Sequence, residues 1–220
     1  LVELGGTEVL ADSPADWPDR VAAALETFRT PDGGYAKSTD HASGSVYHTF
    51  LVGLSYQLLG RPFPQPEKVR QFLRGRRRED GGFVEIAPMR RSGTNPTAAA
   101  VGALQLAGDE ADAGKFRAEE REGVAAFLAA MVSLEGGLRG NGRVPAADLL
   151  STFTGLWTLE QLGQADRIDR EAALRYTLAL ELPAGGFRGG LWDEGTDVEY
   201  TFYGLGCLAL LSAREGEERS

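Results

Sequence analysis

The sequence predicts an all-α protein built as an array of stacked helical hairpins, and three observations predict it. Paired glycines recur in "PDGGYAK", "EDGGFVE", "LEGGLRG" and "PAGGFRG", starting at Gly33, Gly81, Gly136 and Gly185, with spacings of 48, 55 and 49 residues. A threonine recurs as well: Thr49, Thr97, Thr152 and Thr201 each stand eleven residues before Gly60, Gly108, Gly163 or Ser212. No stretch of useful length alternates apolar and polar residues with the period of a strand. Self-similarity at about fifty residues marks a repeat architecture.

Four repeats follow, at roughly 21–60, 69–108, 124–163 and 172–212, inside a single domain covering 1–220. Each opens on a helix-like segment: "VAAALETF", "VRQFLRG", "VAAFLAAMV" and "ALRYTLAL". The glycine pair comes next, supplying positive φ or close backbone approach. The Tyr, Phe or Leu after the pair is expected to pack back as an anchor. A second helix closes each unit: "SVYHTFLVGLSYQLLG", "NPTAAAVGALQLAG", "DLLSTFTGLWTLEQLG" and "DVEYTFYGLGCLALLS". Ser45, Asn95, Asp148 and Asp197 are residue types preferred at helix N-caps, with Pro96 then the first helical residue, and the terminal glycines suit C-caps. Segments 61–66 and 109–120 read as connections between repeats, and the tail "REGEERS" is expected to fray. Such hairpins cannot bury their apolar faces alone and must stack.

The charge balance narrows the function. A net charge of -9 and a pI near 4.9 argue against non-specific nucleic-acid binding, which needs a basic footprint. The apolar runs are far shorter than a membrane span. Cys207 is alone, which excludes an internal disulfide, and its place among Leu205, Leu208 and Leu211 reads as core. No signal peptide is visible and a cytoplasmic location fits, although the first residue is not Met and the N-terminus is expected to lie upstream. No Ser/His/Asp set, phosphate loop or HExxH motif is present, which argues against a nucleotide-dependent enzyme.

The recurring GGF-type turn followed by a helix of the form "YTFxGLxxL" resembles the prenyltransferase and squalene-oxidase repeat of protein prenyltransferase β subunits and terpenoid cyclases, over roughly residues 21 to 212. The resemblance implies an α/α toroid, an inner ring of helices within an outer ring. Members of that family have about six hairpins and this chain shows four, so an incomplete ring is expected, or one completed by a partner subunit or an oligomer. The second helices would run parallel and open their N-termini on one mouth, where partial positive charge favours anions such as diphosphate. Tyr47, Phe50, Phe153, Trp157, Tyr200, Phe202 and Tyr203 would line the adjoining wall, suited to an isoprenoid chain or another apolar ligand and to a developing carbocation.

The same resemblance assigns candidate chemistry. In protein prenyltransferases an Asp-x-Cys followed by Tyr, and a Tyr-His-Thr, supply zinc ligands. Here Asp197-Val198-Glu199-Tyr200 stands for the first, with Glu replacing Cys, and Tyr47-His48-Thr49 for the second. Zinc on Asp197, Glu199 and His48 is therefore implied, with the same three as catalytic residues. Substrate contacts fall to Tyr200, Tyr47, Trp157, Phe153, Arg188 and Asp148; Arg188 is the one cation left in "FRGGLWDEGTD", and Arg90 and Arg91 occupy the matching loop of the second repeat. The run "DVEYT" also resembles the Asp-x-Asp-Asp-Thr motif of class II terpenoid cyclases, placing Glu199 at the position of the acid. The cluster Arg70, Arg74, Arg76, Arg77 and Arg78 reads as a solvated helix end or a docking patch. The leading expectation is a prenyltransferase-β-like protein that binds an isoprenoid diphosphate. A non-catalytic helical-repeat scaffold for peptide or lipid and acid-catalysed cyclisation through Glu199 are the alternatives.

Overall fold

The computed structural model describes residues 13–108 and 116–212. Its α-helices are α1 (Trp17–Glu26), α2 (Val46–Leu58), α3 (Pro66–Gly75), α4 (Thr94–Leu106), α5 (Ala118–Ala130), α6 (Leu149–Gln161), α7 (Arg170–Ala179) and α8 (Val198–Ser212). The described residues contain only isolated β-bridges and no longer ladder, and no helix among them is long and apolar enough to cross a membrane. Of the expected connection at 109–120, residues 109–115 lie outside the described residues and 118–120 already belong to α5, and the tail from 214 also lies outside the described residues.

Odd-numbered helices form an outer layer and even-numbered helices an inner one. Each inner helix packs on the next, α2 on α4, α4 on α6 and α6 on α8. The outer helices begin three to six residues earlier than their apolar cores suggest in α1, α3 and α5, because their first turns are polar: "WPDR", "PEK" and "AEEREG". Prolines set two of these starts, Pro18 in α1 and Pro66 in α3. In α5 the Glu120 carboxylate instead accepts the Arg117 N–H at 3.0 Å.

The recurring threonine has a structural job. Thr49, Thr97 and Thr152 each accept the backbone N–H of the anchor residue after the glycine pair (Tyr35, Phe83 and Leu138, at 2.9–3.0 Å). Each then donates to the carbonyl of its own helix cap at 2.7 Å. One hydroxyl thereby ties the turn to the helix and satisfies a buried donor. The register it fixes corrects one expectation. The cap of α4 lies four residues before Thr97, at Gly93, so Asn95 is inside the helix and Pro96 is its third residue, not its first. The anchors themselves are buried as expected: Tyr35, Phe83, Leu138 and Phe187.

The first glycine of every pair has positive φ, between 88° and 95°. In the first three repeats it also presses on the next outer helix: a Cβ on Gly33, Gly81 or Gly136 would strike the backbone of Lys68, Gly123 or Ala172. The second glycine receives an aromatic ring from that same helix, Phe72, Phe127 or Tyr176.

The arginine cluster is neither solvated nor free for docking as a whole. Arg76 is buried, pairs with Asp32 at 2.7 Å and lies over the Phe72 ring. Against the cost of burial, hydrogen bonds from Thr30, Ser43, Gly44 and Arg76 hold the Asp32 carboxyl below its usual range. Arg70 is buried between Glu67 and the Ala107 carbonyl, Arg74 pairs with Glu120, and Arg78 donates to the Ala87 and Met89 carbonyls. The cluster joins neighbouring repeats.

Candidate functional site

The inner-helix N-termini share one end of the array. The first N–H of each of α2, α4 and α6 donates to a carbonyl in the loop that enters the next inner helix: Val46 to Glu85 at 3.1 Å, Thr94 to Gly140 at 2.9 Å, Leu149 to Gly189 at 2.7 Å. These bonds place the four helix starts side by side.

Carboxylates already occupy three of them. At α2, Glu85 accepts from the Tyr47 N–H at 3.1 Å and from the Ser45 hydroxyl, while Ser45 Oγ caps the helix by accepting from the His48 N–H. At α6, Asp148 accepts from the Ser151 N–H at 2.7 Å and its hydroxyl at 2.8 Å; burial pushes this carboxyl above its ordinary value. At α8, exposed Asp197 accepts from the Tyr200 N–H at 2.7 Å. Only α4 starts without a carboxylate cap, at Gly93, and its approach loop carries exposed Arg90 and Arg91.

Below the mouth, α6 and α8 present an aromatic trio. Phe153 meets Phe202 with ring centroids 5.5 Å apart and Tyr203 at 5.6 Å, and Phe202 meets Tyr203 at 5.6 Å. The trio forms because Gly206 faces Phe153: a Cβ there would collide with that ring. Tyr203 Oη donates to Glu199 at 2.6 Å, and burial together with this carboxylate raises the phenol's pKa. Tyr47, on α2, is half exposed. The i, i+4 pairing of Glu199 with Tyr203 is legible in "EYTFY", but the sequence reading placed Tyr203 only in the wall.

The expected site residues divide. Phe153, Trp157 and Tyr200 are partly buried on inner helices; the Tyr200 ring lies over Gly189, and burial followed by the charges of Asp193 and Asp197 raises its pKa. Arg188 does not serve the mouth. It donates to the Ala179 carbonyl at the end of α7, as Arg139 donates to Ala130 at the end of α5, the usual place for a cation beside orphan carbonyls. Nor do Asp197, Glu199 and His48 assemble a zinc site. Asp197 is held by its helix start, Glu199 by Tyr203 and His48 Nδ1 by Ser45 at 2.8 Å, and no group of three or more His, Cys, Asp and Glu among the described residues is placed to hold a metal. Cys207 is fully buried and its thiol is pushed up to about 12, as a core residue requires. A cavity of about 650 Å³ lies at the other end of the array, among Ala118, Arg121, Glu122, Leu162 and Gln164, remote from this chemistry.

Comparison with known proteins fits this architecture. No curated protein sequence matches the chain. Among solved structures, protein geranylgeranyltransferase-I of Candida albicans complexed with GGPP is similar at 16% identity and a TM-score of 0.68, over 83% of this chain and 52% of that one. The type II terpene cyclase MstE from Scytonema, in complex with geranylgeranyl dihydroxybenzoate as substrate, is similar in two variants. One gives 16% identity and a TM-score of 0.60 over 90% of this chain and 56% of that one. The other gives 17% and 0.64 over 93% and 60%. The chain thus spans a little over half the length of the structures it matches. The family description "Prenyltransferase alpha-alpha toroid domain" matches residues 3–219, and the chain belongs to that family.

Proposed function

We propose that this chain binds an isoprenoid diphosphate at the inner-helix mouth, as the lipid-binding part of a prenyltransferase-like protein. One observation carries the reading: the aromatic trio of Phe153, Phe202 and Tyr203, held on adjacent inner helices immediately below the helix starts. Such a surface takes a polyene chain by apolar contact and steadies positive charge developing on an allylic carbon. The diphosphate falls to Arg90 and Arg91, in the loop before α4, the one inner-helix start without a carboxylate. If transfer follows, the carbon–oxygen bond to diphosphate breaks with its electron pair on the leaving group, and an acceptor lone pair forms the new bond. Glu199, already bonded to Tyr203, orients the acceptor. No step is assigned to zinc, because the implied ligands are not gathered.

A second reading rests on a specific observation too. Asp197, His48 and Arg188 are all engaged in structural bonds. This favours a non-catalytic scaffold that takes a peptide or lipid on the same face.

Calorimetric titration with geranylgeranyl diphosphate, with and without zinc, separates the readings. The proposal expects saturable binding, unchanged by zinc, weakened ~10-fold or more in an Arg90→Ala/Arg91→Ala variant as charge-assisted contacts are lost. Absence of both heat and thermal shift would leave the scaffold. Zinc-dependent binding lost in His48→Ala would restore the metal. Turnover without zinc, abolished by Glu199→Gln, would identify acid-catalysed cyclisation.

A further inference from the structure

The four repeats dock on one another through a contact set that occurs three times and is vacated at the fourth. Gly33, Gly81 and Gly136 each press on a helix backbone, whereas a Cβ on Gly185 would meet nothing within 4 Å. Phe72, Phe127 and Tyr176 cover Gly34, Gly82 and Gly137, whereas Gly186 faces only its own Thr201. Val46, Thr94 and Leu149 bond their N–H to the next loop, whereas the Val198 N–H has no acceptor among the described residues. The side chains follow: Val46, Thr94 and Leu149 are fully buried and Val198 is 85% exposed. Four residues beyond the threonine, Gly53, Val101 and Leu156 are buried and Leu205 is 57% exposed.

We infer that this end of the array is a docking surface for a further outer–inner helical hairpin carried on a polypeptide outside residues 1–220. The surface continues the three internal interfaces, and they state the partner's chemistry. Its outer helix carries an aromatic residue to cover Gly185 and Gly186. Its inner helix carries glycine or alanine where Phe202 arrives, because Phe50 and Phe153, the residues after the threonine in repeats one and three, seat against Gly102 and Gly206. Its entry loop offers a carbonyl to Val198 N–H and is basic or neutral, because Glu194, Asp197 and Glu199 are exposed beside that site.

This chain does not itself meet the description. In its first repeat the aromatic position, nine residues before the first glycine, is Ala24, and the position facing the incoming ring is Leu54. A second copy docked head to tail would leave the glycine slot empty and set Leu54 against Phe202. The eight residues after α8 are also too few, since the shortest connection plus outer helix in the array runs from 59 to 75. Phe202 belongs to both surfaces, and the inference rests on the contacts repeated in the first three turns, not on lipid binding.

The test uses the full chain alone and the chain extended from Ser212 by a second copy of residues 59–108, which brings Phe72 and Gly102 in the required positions. Amide hydrogen exchange is read at Val198 and along the first turn of α8. The extended chain is expected to slow exchange at Val198 ~100-fold. Phe72→Ala with Gly102→Leu in the appended copy, which reproduces the first repeat's pattern, is expected to abolish the protection. Equal protection by both extensions, or by neither, would overturn the proposal. So would sedimentation showing that the unextended chain self-associates with Val198 protected, since a second copy would then be the occupant.

Discussion

The second and fourth glycine turns are near copies in sequence and opposites in surroundings. "EDGGFVE" and "PAGGFRG" share the glycine pair, the positive φ and the buried phenylalanine. Gly81 and Gly82 are nevertheless sealed by α5, while Gly185 stands in the open. The same holds of the caps. Asp148 and Asp197 make the same backbone bond, yet one is half-buried with its carboxyl pushed up and the other is exposed. In a repeat array a residue's role is therefore set by whether a next repeat covers it, and the motif alone does not say.

Substitution at the turns gives the largest contrast. Gly81→Ala meets both left-handed strain and the Gly123 backbone, and is expected to cost about 3 kcal/mol. Gly185→Ala meets the strain alone and is expected to cost about 1 kcal/mol. Equal losses in urea unfolding would mean that Gly81 does not bear on the next repeat.

The threonine bridge sharpens the comparison on a smaller scale. Thr152→Val leaves the buried Leu138 N–H without its acceptor and is expected to cost about 2 kcal/mol. Thr201 makes the same pair of bonds at 3.4 and 2.9 Å in a partly exposed place, and Thr201→Val is expected to cost less than about 1 kcal/mol. The reverse order would locate the main closure at the fourth turn.

The smallest effect is in pH dependence. The folded-state pKa of Asp148 is raised above its ordinary 3.8, so the folded protein holds this proton more tightly than the unfolded chain. Its contribution to stability is full below 3.8 and is lost as pH rises through the raised value. Asp148→Asn keeps an oxygen for the Ser151 N–H and should flatten that part of the stability–pH curve. An unchanged curve in Asp148→Asn would mean that the burial of this carboxyl carries no weight.

Periodicity made the fold legible. The glycine pairs and the threonine offset mark four turns and four inner helices, because the same close contact must be built in every repeat. The offset also held the answer to the cap of α4: four residues before each threonine stand Ser45, Gly93, Asp148 and Asp197, so residue preference at Asn95 misled where register did not. The site was less legible. Aromatics on the inner helices were readable as a wall, but the zinc set rested on the resemblance of two short motifs, and geometry gave each of its members a local partner instead. Arg188 and the arginine cluster looked like free charge because the carbonyls and carboxylates that take them lie as far as 46 residues away in sequence.

The most direct test of ligand binding at the α6–α8 mouth is photo-crosslinking with a diazirine-bearing geranylgeranyl diphosphate, followed by peptide mapping. The account predicts labelling within 149–157 and 198–206, suppressed by unlabelled geranylgeranyl diphosphate and reduced in Phe153→Ala. Labelling confined to the cavity around Arg121 and Gln164, or labelling that unlabelled ligand does not suppress, would contradict it.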